Sequence, residues 1–221
     1  EAGSLATAGW AFLVERLCCH RATLTVAVSS VDLNILKKWV KHGALILPNG
    51  VDTRQYFPLG ASAFNTEPTV LFFGNFRHPP NLEALYLIQE QIAGEVQKEV
   101  HSAQFLVAGL GFPTEGHLSR LRALGVVENL PDIIRSAHVS IVPLRRGRGT
   151  RLKILEALAC GRLVVSTPKG AEGIEDCFEN LHIVSLAEFP GAIVQALRHP
   201  RVYPDAYNLI REKYSWEVIS S

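Results

Sequence analysis

Gly147-Arg148-Gly149-Thr150-Arg151-Leu152-Lys153-Ile154-Leu155-Glu156-Ala157-Leu158-Ala159-Cys160-Gly161, followed at once by Arg162-Leu163-Val164-Val165-Ser166-Thr167-Pro168, is the stretch that decides the fold. A glycine-flanked turn opens an apolar helix, and a β-branched run stopped by proline comes next, so the two together read as one α/β unit. The helix begins with Arg151 and Lys153. Cations at a helix amino terminus oppose its dipole unless an anion sits there. Glycines let backbone amides approach such an anion, and an arginine fork grips phosphate oxygens in pairs. Glu156 is the helix's lone carboxylate. Its oxygens suit the hydroxyls of a ribose; the plainer alternative pairs it with Lys153 three residues earlier.

Working outward, apolar runs at 70–73, 104–108, 138–143 and 163–166, with a last one at 182–184, read as strands. Leu82, Leu85, Ile88, Ile92 and Val96 fall on three- and four-residue steps, one face of a long helix. Further helices are predicted over 115–124, 131–137, 186–197 and 204–213, with a short strand at 126–127. Continuous apolar strands alternating with helices predict an α/β fold, a doubly wound parallel sheet of Rossmann-like type. In such a sheet ligands bind outside the carboxyl ends of the strands. The residues that follow predicted strands are therefore the candidates: Gly74, Asn75 and Arg77; Gly109, with Gly111 beyond it; Glu128 and Asn129; Gly149, Thr150, Arg151 and Lys153; and Glu172. Asn81 reads more simply as a helix cap, and Glu172 equally as a capping or solvated residue.

Upstream, helices over 5–20 and 31–42 alternate with strands at 24–28 and 44–47, ending in the turn Pro48-Asn49-Gly50. Residues 51–68 carry Pro58, Gly60 and Pro68 with no sustained periodicity, the signature of a linker. The expected organisation is a partial amino-terminal α/β segment over 1–50, a linker over 51–68 and a main domain over 69–221.

Composition narrows the function. With 22 cationic and 21 acidic side chains in 221 residues, the chain has no general nucleic-acid footprint. Cys18, Cys19, Cys160 and Cys177 form no Cys-x-x-Cys pair and read as reduced, buried thiols of a cytoplasmic protein. The histidines lack ligand spacing, so no structural metal is expected. The apolar run 5–14 is shorter than the ~18–20 residues of a membrane span. It reads as a core-facing helix, with an interfacial helix at a membrane surface as the alternative. No Gly-x-Gly-x-x-Gly, P-loop, Gly-x-Ser-x-Gly or cysteine–histidine motif is present, which argues against a dinucleotide dehydrogenase, an ATPase and a hydrolase. The chain has no methionine and starts at Glu1, the expectation for a processed chain or a piece of a longer one.

Pro48-Asn49-Gly50-Val51-Asp52 with Phe57-Pro58, then Gly149-Thr150-Arg151-Leu152-Lys153-Ile154-Leu155-Glu156-Ala157, Val164-Val165-Ser166-Thr167, Gly170-Ala171-Glu172-Gly173-Ile174 and Tyr214-Ser215-Trp216-Glu217 resemble, in order, the motifs of family-four (group 1) glycosyltransferases. The resemblance implies the two-domain GT-B fold, with this chain supplying the carboxy-terminal donor-binding domain and the tail of the amino-terminal one. It implies a UDP- or GDP-linked sugar as donor substrate, no cofactor and no obligatory metal, and retention of anomeric configuration. By resemblance Glu156 binds ribose, and Gly149, Thr150 and Arg151 with Lys153 hold the diphosphate. Gly74 faces the diphosphate, while residues 127–129 lie near the base. Arg151 and Lys153 stabilise the leaving group. The implied acceptor is a saccharide or a lipid-linked molecule, as in cell-surface polysaccharide synthesis, with peripheral membrane contact open and an amino-terminal domain or partner chain completing the cleft. Two departures stand out. Arg148 replaces the motif's first glutamate, and Asn75 with Pro79-Pro80-Asn81 replaces an Arg–Lys pair after the first strand. The rival readings are a non-catalytic nucleotide-sugar-binding half-protein and a nucleotide-sugar epimerase.

Overall fold

The computed structural model describes residues 2–113, 118–147, 152–174 and 178–220, with side chains from residue 9 onward. Two compact units divide the chain between Asn49 and Gly50.

In the first unit helix α1 (Ala2–Arg21) precedes strand β1 (Leu24–Ala27), helix α2 (Ser30–Leu36) and strand β2 (Gly43–Ile46). The strands pair in parallel, Leu24 opposite Gly43. Ser29 caps α2, its hydroxyl accepting from the Asp32 amide at 3.1 Å. The helix predicted over 31–42 stops at Leu36. Lys37 and Lys41 would stack cations four residues apart if it continued.

The second unit holds a six-stranded parallel sheet: β3 (Thr69–Phe73), β4 (Gln104–Ala108), β5 (Leu121–Gly125), β6 (Val139–Val142), β7 (Leu163–Ser166) and β8 (Leu181–Ile183), in spatial order β5-β4-β3-β6-β7-β8. Strands thus run outward in one direction, return to the centre and run outward in the other, the doubly wound pattern that the sequence predicts. β3, β6 and β7 are buried along their whole length. Helices cover the sheet: α3 (Pro79–Leu87), α4 (Ala93–Glu99), α5 (Leu130–Ser136), α6 (Leu152–Ala159), α7 (Phe189–Arg198), α8 (Pro204–Lys213) and α9 (Trp216–Ile219). A π turn over Ile88–Ile92 joins α3 to α4 and keeps Leu85, Ile88, Ile92 and Val96 in the core.

β3 pairs with β4 over all five residues, from Thr69 to Phe73. With β6 it pairs only at Val70↔Val139 and Leu71↔Ser140. The central seam therefore opens toward the carboxyl ends of both strands, where a doubly wound sheet forms its crevice.

The stretch predicted as helix 115–124 contains strand β5 instead, and no strand forms at 126–127. Leu118, Leu121 and Leu124 mimic helical spacing. Parallel pairing of Phe105 with Leu121 overrides it, and an edge strand tolerates the exposed Arg122. Residues 115–117 lie outside the described set. Of the cysteines, Cys18, Cys19 and Cys160 are free, but Cys18 is exposed rather than buried; Cys177 lies outside the described residues.

Residues 51–68 run pinned along the second unit. Val51 bridges to Ser215 and donates its N–H to Tyr214 at 2.7 Å. The Thr53 carbonyl accepts from the Tyr207 hydroxyl at 3.1 Å. Arg135 Nη1 donates to the carbonyls of Gln55 and Phe57, at 3.0 and 3.5 Å. Arg162 Nη2 donates to Leu59 at 3.3 Å and its guanidinium lies 4.1 Å over the Phe64 ring.

Candidate functional site

The site is built where the central seam opens. Apolar spacing decides which face of α6 is buried: Ile154, Leu155, Ala157 and Leu158 enter the core, which leaves Lys153 and Glu156 one turn apart on the remaining face. The Lys153 ammonium donates to Asn81 Oδ1 at 2.8 Å and stands 4.9 Å from the Phe72 ring. Asn81 Nδ2 donates in turn to the Asn75 carbonyl at 2.8 Å. Asn81 is thus not the cap of α3, which follows His78. It ties the loop after β3 to the start of α6.

The two glycine turns are in backbone contact. A Cβ on Gly109 would lie 1.8 Å from the Gly74 carbonyl oxygen, and φ there is +137°. A Cβ on Gly74 would lie 3.0 Å from Lys153 Nζ, so the ammonium reaches close to the bare backbone after β3.

A cavity of about 340 Å³ occupies this edge. Gly74, Asn75, Gly109, Lys153 and Glu156 line it, with Val126, Val127 and Leu130 as an apolar wall. Burial pushes the Glu156 carboxyl above its ordinary pKa, while a hydrogen bond from Tyr56 and the Lys153 charge oppose that push. Tyr56 was invisible to sequence reasoning, because it sits in the aperiodic stretch 51–68. Its phenol is pushed well above the usual range by burial and by the Glu156 charge.

The other candidates lie elsewhere. Arg77 is exposed; its methylenes pack over Gly111, where a Cβ would come within 2.6 Å of Arg77 Cγ. Glu128 is exposed, and Asn129 caps α5 by accepting from the Asp132 amide at 3.2 Å. Glu172 pairs with Lys169 at 2.5 Å. None of these four lines the cavity. Gly149, Thr150 and Arg151, with Arg148, lie outside the described residues.

A second cavity, about 510 Å³, lies around Asn180, Arg201 and Tyr203. Asn180 immediately precedes β8, so this space is at the amino ends of the strands, away from the crevice. Among the described residues no group of three or more His, Cys, Asp or Glu side chains could hold a metal ion. No helix among them is long and apolar enough to cross a membrane.

The family model described as glycosyl transferases group 1 matches residues 67–199, the body of the sheet and the site together. The chain belongs to the group 1 glycosyl transferases. Solved structures share the fold of this family member at low identity. Sucrose-phosphate synthase from Thermosynechococcus elongatus is 20% identical with a TM-score of 0.73, over 94% of this chain and 58% of that one. TarM is 15% identical with a TM-score of 0.74, over 95% and 44%. HepE from Anabaena, solved in complex with UDP-glucose, is 14% identical with a TM-score of 0.71, over 94% and 64%. The chain thus spans roughly half to two thirds of the length of these structures. No curated protein matches it.

Proposed function

We propose that residues 69–221 are the donor-binding half of a glycosyltransferase that moves a sugar from a UDP- or GDP-linked donor to an acceptor hydroxyl. The observation that carries this reading is the placement of Lys153 and Glu156, cation and carboxylate one turn apart, on one cavity beside the backbones of Gly74 and Gly109. In this reading the ribose hydroxyls donate to Glu156, the base rests on Val126, Val127 and Leu130, and the diphosphate lies toward Gly74 and Lys153. Gly149, Thr150 and Arg151 complete the diphosphate loop, and Arg151 and Lys153 stabilise the departing diphosphate as its charge develops. The retaining course and independence from metal follow the family resemblance. So does a cytoplasmic site of action on a saccharide or lipid-linked acceptor.

Residues 1–50 are, on the same reading, the tail of an amino-terminal domain that carries the acceptor side, with 51–68 as the joint. One alternative is a non-catalytic half-protein whose cleft a partner chain completes.

Calorimetric titration with UDP and GDP tests the donor reading directly. One of them is expected to bind, and Arg151→Ala is expected to reduce transfer by about 10²–10³-fold, the scale for one preorganised donor. If neither nucleotide binds, the reading is wrong. Binding without transfer to any acceptor fits the half-protein or a piece of a longer enzyme, and conversion of the sugar nucleotide without acceptor identifies an epimerase.

A further inference from the structure

Among the described residues Lys153 is the one cation that lines the cavity. The loop after β3 brings none of its own there, since Arg77 and His78 are exposed and lie off it. That loop meets the ammonium through Asn81 instead, whose Oδ1 accepts from Lys153 Nζ at 2.8 Å. Asn81 is itself held at two points. Its backbone N–H donates to the His78 carbonyl at 3.0 Å, and its Nδ2 donates to the Asn75 carbonyl at 2.8 Å. The Asn75 carbonyl also accepts from the His78 amide at 3.2 Å, which closes the turn on itself. An ammonium only donates and a carbonyl only accepts, so these contacts allow the Asn81 amide a single orientation. The Phe72 ring, fully buried, lies 4.9 Å from the ammonium, and the bare backbone of Gly74 leaves it room. Ring, glycine and amide oxygen together form a seat for one charge.

We infer that Asn81 is a positioning residue for diphosphate binding: its amide oxygen orders the Lys153 ammonium at the cavity before a ligand arrives and, being neutral, leaves the charge of that ammonium uncancelled. Lysine is a point charge on a flexible four-carbon stem, and freezing such a side chain on binding costs affinity. With Asn81 in place the stem is ordered in the folded protein already. A carboxylate at position 81 would hold the lysine too, but it would neutralise the cation and repel a diphosphate. An apolar residue there would leave the charge intact and its position loose. The inference rests on the donor-site reading above.

A double-mutant cycle read in ligand affinity tests it. UDP and GDP are titrated into the wild type, Asn81→Leu, Lys153→Met and the double variant, with a melting curve beside each titration. Lys153→Met is expected to weaken binding about tenfold or more, the scale of a hydrogen bond to a charged group. Asn81→Leu is expected to weaken it about three- to tenfold, the scale of ordering one long side chain. In the Lys153→Met background the same Asn81 change is expected to cost nothing further. A loss of equal size in both backgrounds means that Asn81 acts through the loop alone and overturns the inference, as does no loss in either. If the wild type binds neither UDP nor GDP, the donor reading itself fails, and this one with it. Should Asn81→Leu not fold, nuclear relaxation at the carbon-13-labelled Lys153 Cε of the wild type, assigned by its absence from Lys153→Met, answers the question. That methylene is expected to be ordered both without and with nucleotide. A side chain that becomes ordered only when nucleotide binds overturns the inference.

Discussion

Gly109 and Gly74 touch through their backbones, leaving no room at Gly109 for even a methyl group: a Cβ there would stand 1.8 Å from the Gly74 carbonyl oxygen. The contact holds the loops after β3 and β4 together at the cavity edge. Gly109→Ala must push them apart and also adopt φ near +137°. The expected result is a loss of about 3 kcal/mol in urea-denaturation stability, within the range of backbone-strain mutations, together with weaker nucleotide binding. A variant as stable as the wild type would show that the loops part freely.

Burial raises the Glu156 carboxyl above its ordinary pKa of about 4.3. The folded state therefore holds this proton more tightly than the unfolded chain. That contribution to stability is complete below the ordinary value and is lost as the pH rises through the raised folded value. Glu156→Gln cannot ionise. In a urea series it is expected to match the wild type at the acid end and to become the more stable of the two as the pH rises to neutrality. Equal stability at pH 8 would contradict the burial argument.

His138 behaves in the opposite sense. Burial, then the Arg162 charge, pushes its pKa down. Its Nδ1 accepts from the Thr69 amide at 3.1 Å, and its ring stacks on Phe64 at 4.9 Å. A depressed folded pKa gives stability that is complete above the ordinary value of about 6.5 and is lost as the pH falls through the folded value. His138→Gln keeps an acceptor without a charge. The difference in melting temperature between wild type and variant is expected to move in favour of the variant as the pH drops from 7 toward 5. A difference that stays constant would refute the assignment.

Arg162 is fully buried, with Nε and Nη1 lacking hydrogen-bond partners. Burial brings its pKa down to about 10, which the neighbouring Cys160 resists and Arg135 reinforces. Its carbonyl contact to Leu59 and its ring contact to Phe64 offset only part of that desolvation. Arg162→Met keeps the packing and removes the charge, and is expected to leave stability unchanged or raise it by up to about 2 kcal/mol. Urea denaturation checks this; a loss of similar size would mean the guanidinium is better compensated than its contacts indicate.

What the sequence made legible follows from the range of the forces involved. The parallel sheet was readable because β3, β6 and β7 are buried on both faces, which makes Val70 to Phe73 and Leu163 to Val165 continuous apolar runs. Lys153 and Glu156 were readable because a helix with one lysine and one glutamate among leucines and alanines exposes their spacing. β5 was misread because Leu118, Leu121 and Leu124 obey helical spacing in a segment whose pairing partner, Phe105, is remote. Tyr56 went unassigned, and Asn81 was read as a helix cap, for the same reason. Their partners, Glu156 and Lys153, lie far along the chain, and neither proline content nor periodicity records that.

The seam between β3 and β6 bears on how this unit assembles. Each half of the sheet joins strands adjacent in sequence, through a single crossover at a time. The contact between halves instead closes the chain between Thr69 and His138, 69 residues apart and hydrogen bonded at the foot of the seam. Loop-closure entropy places such long-range contacts late in folding. The crevice thus comes into being with the last large closure. A ligand that touches both halves binds the finished sheet and not its precursors, so it slows unfolding more than it hastens folding.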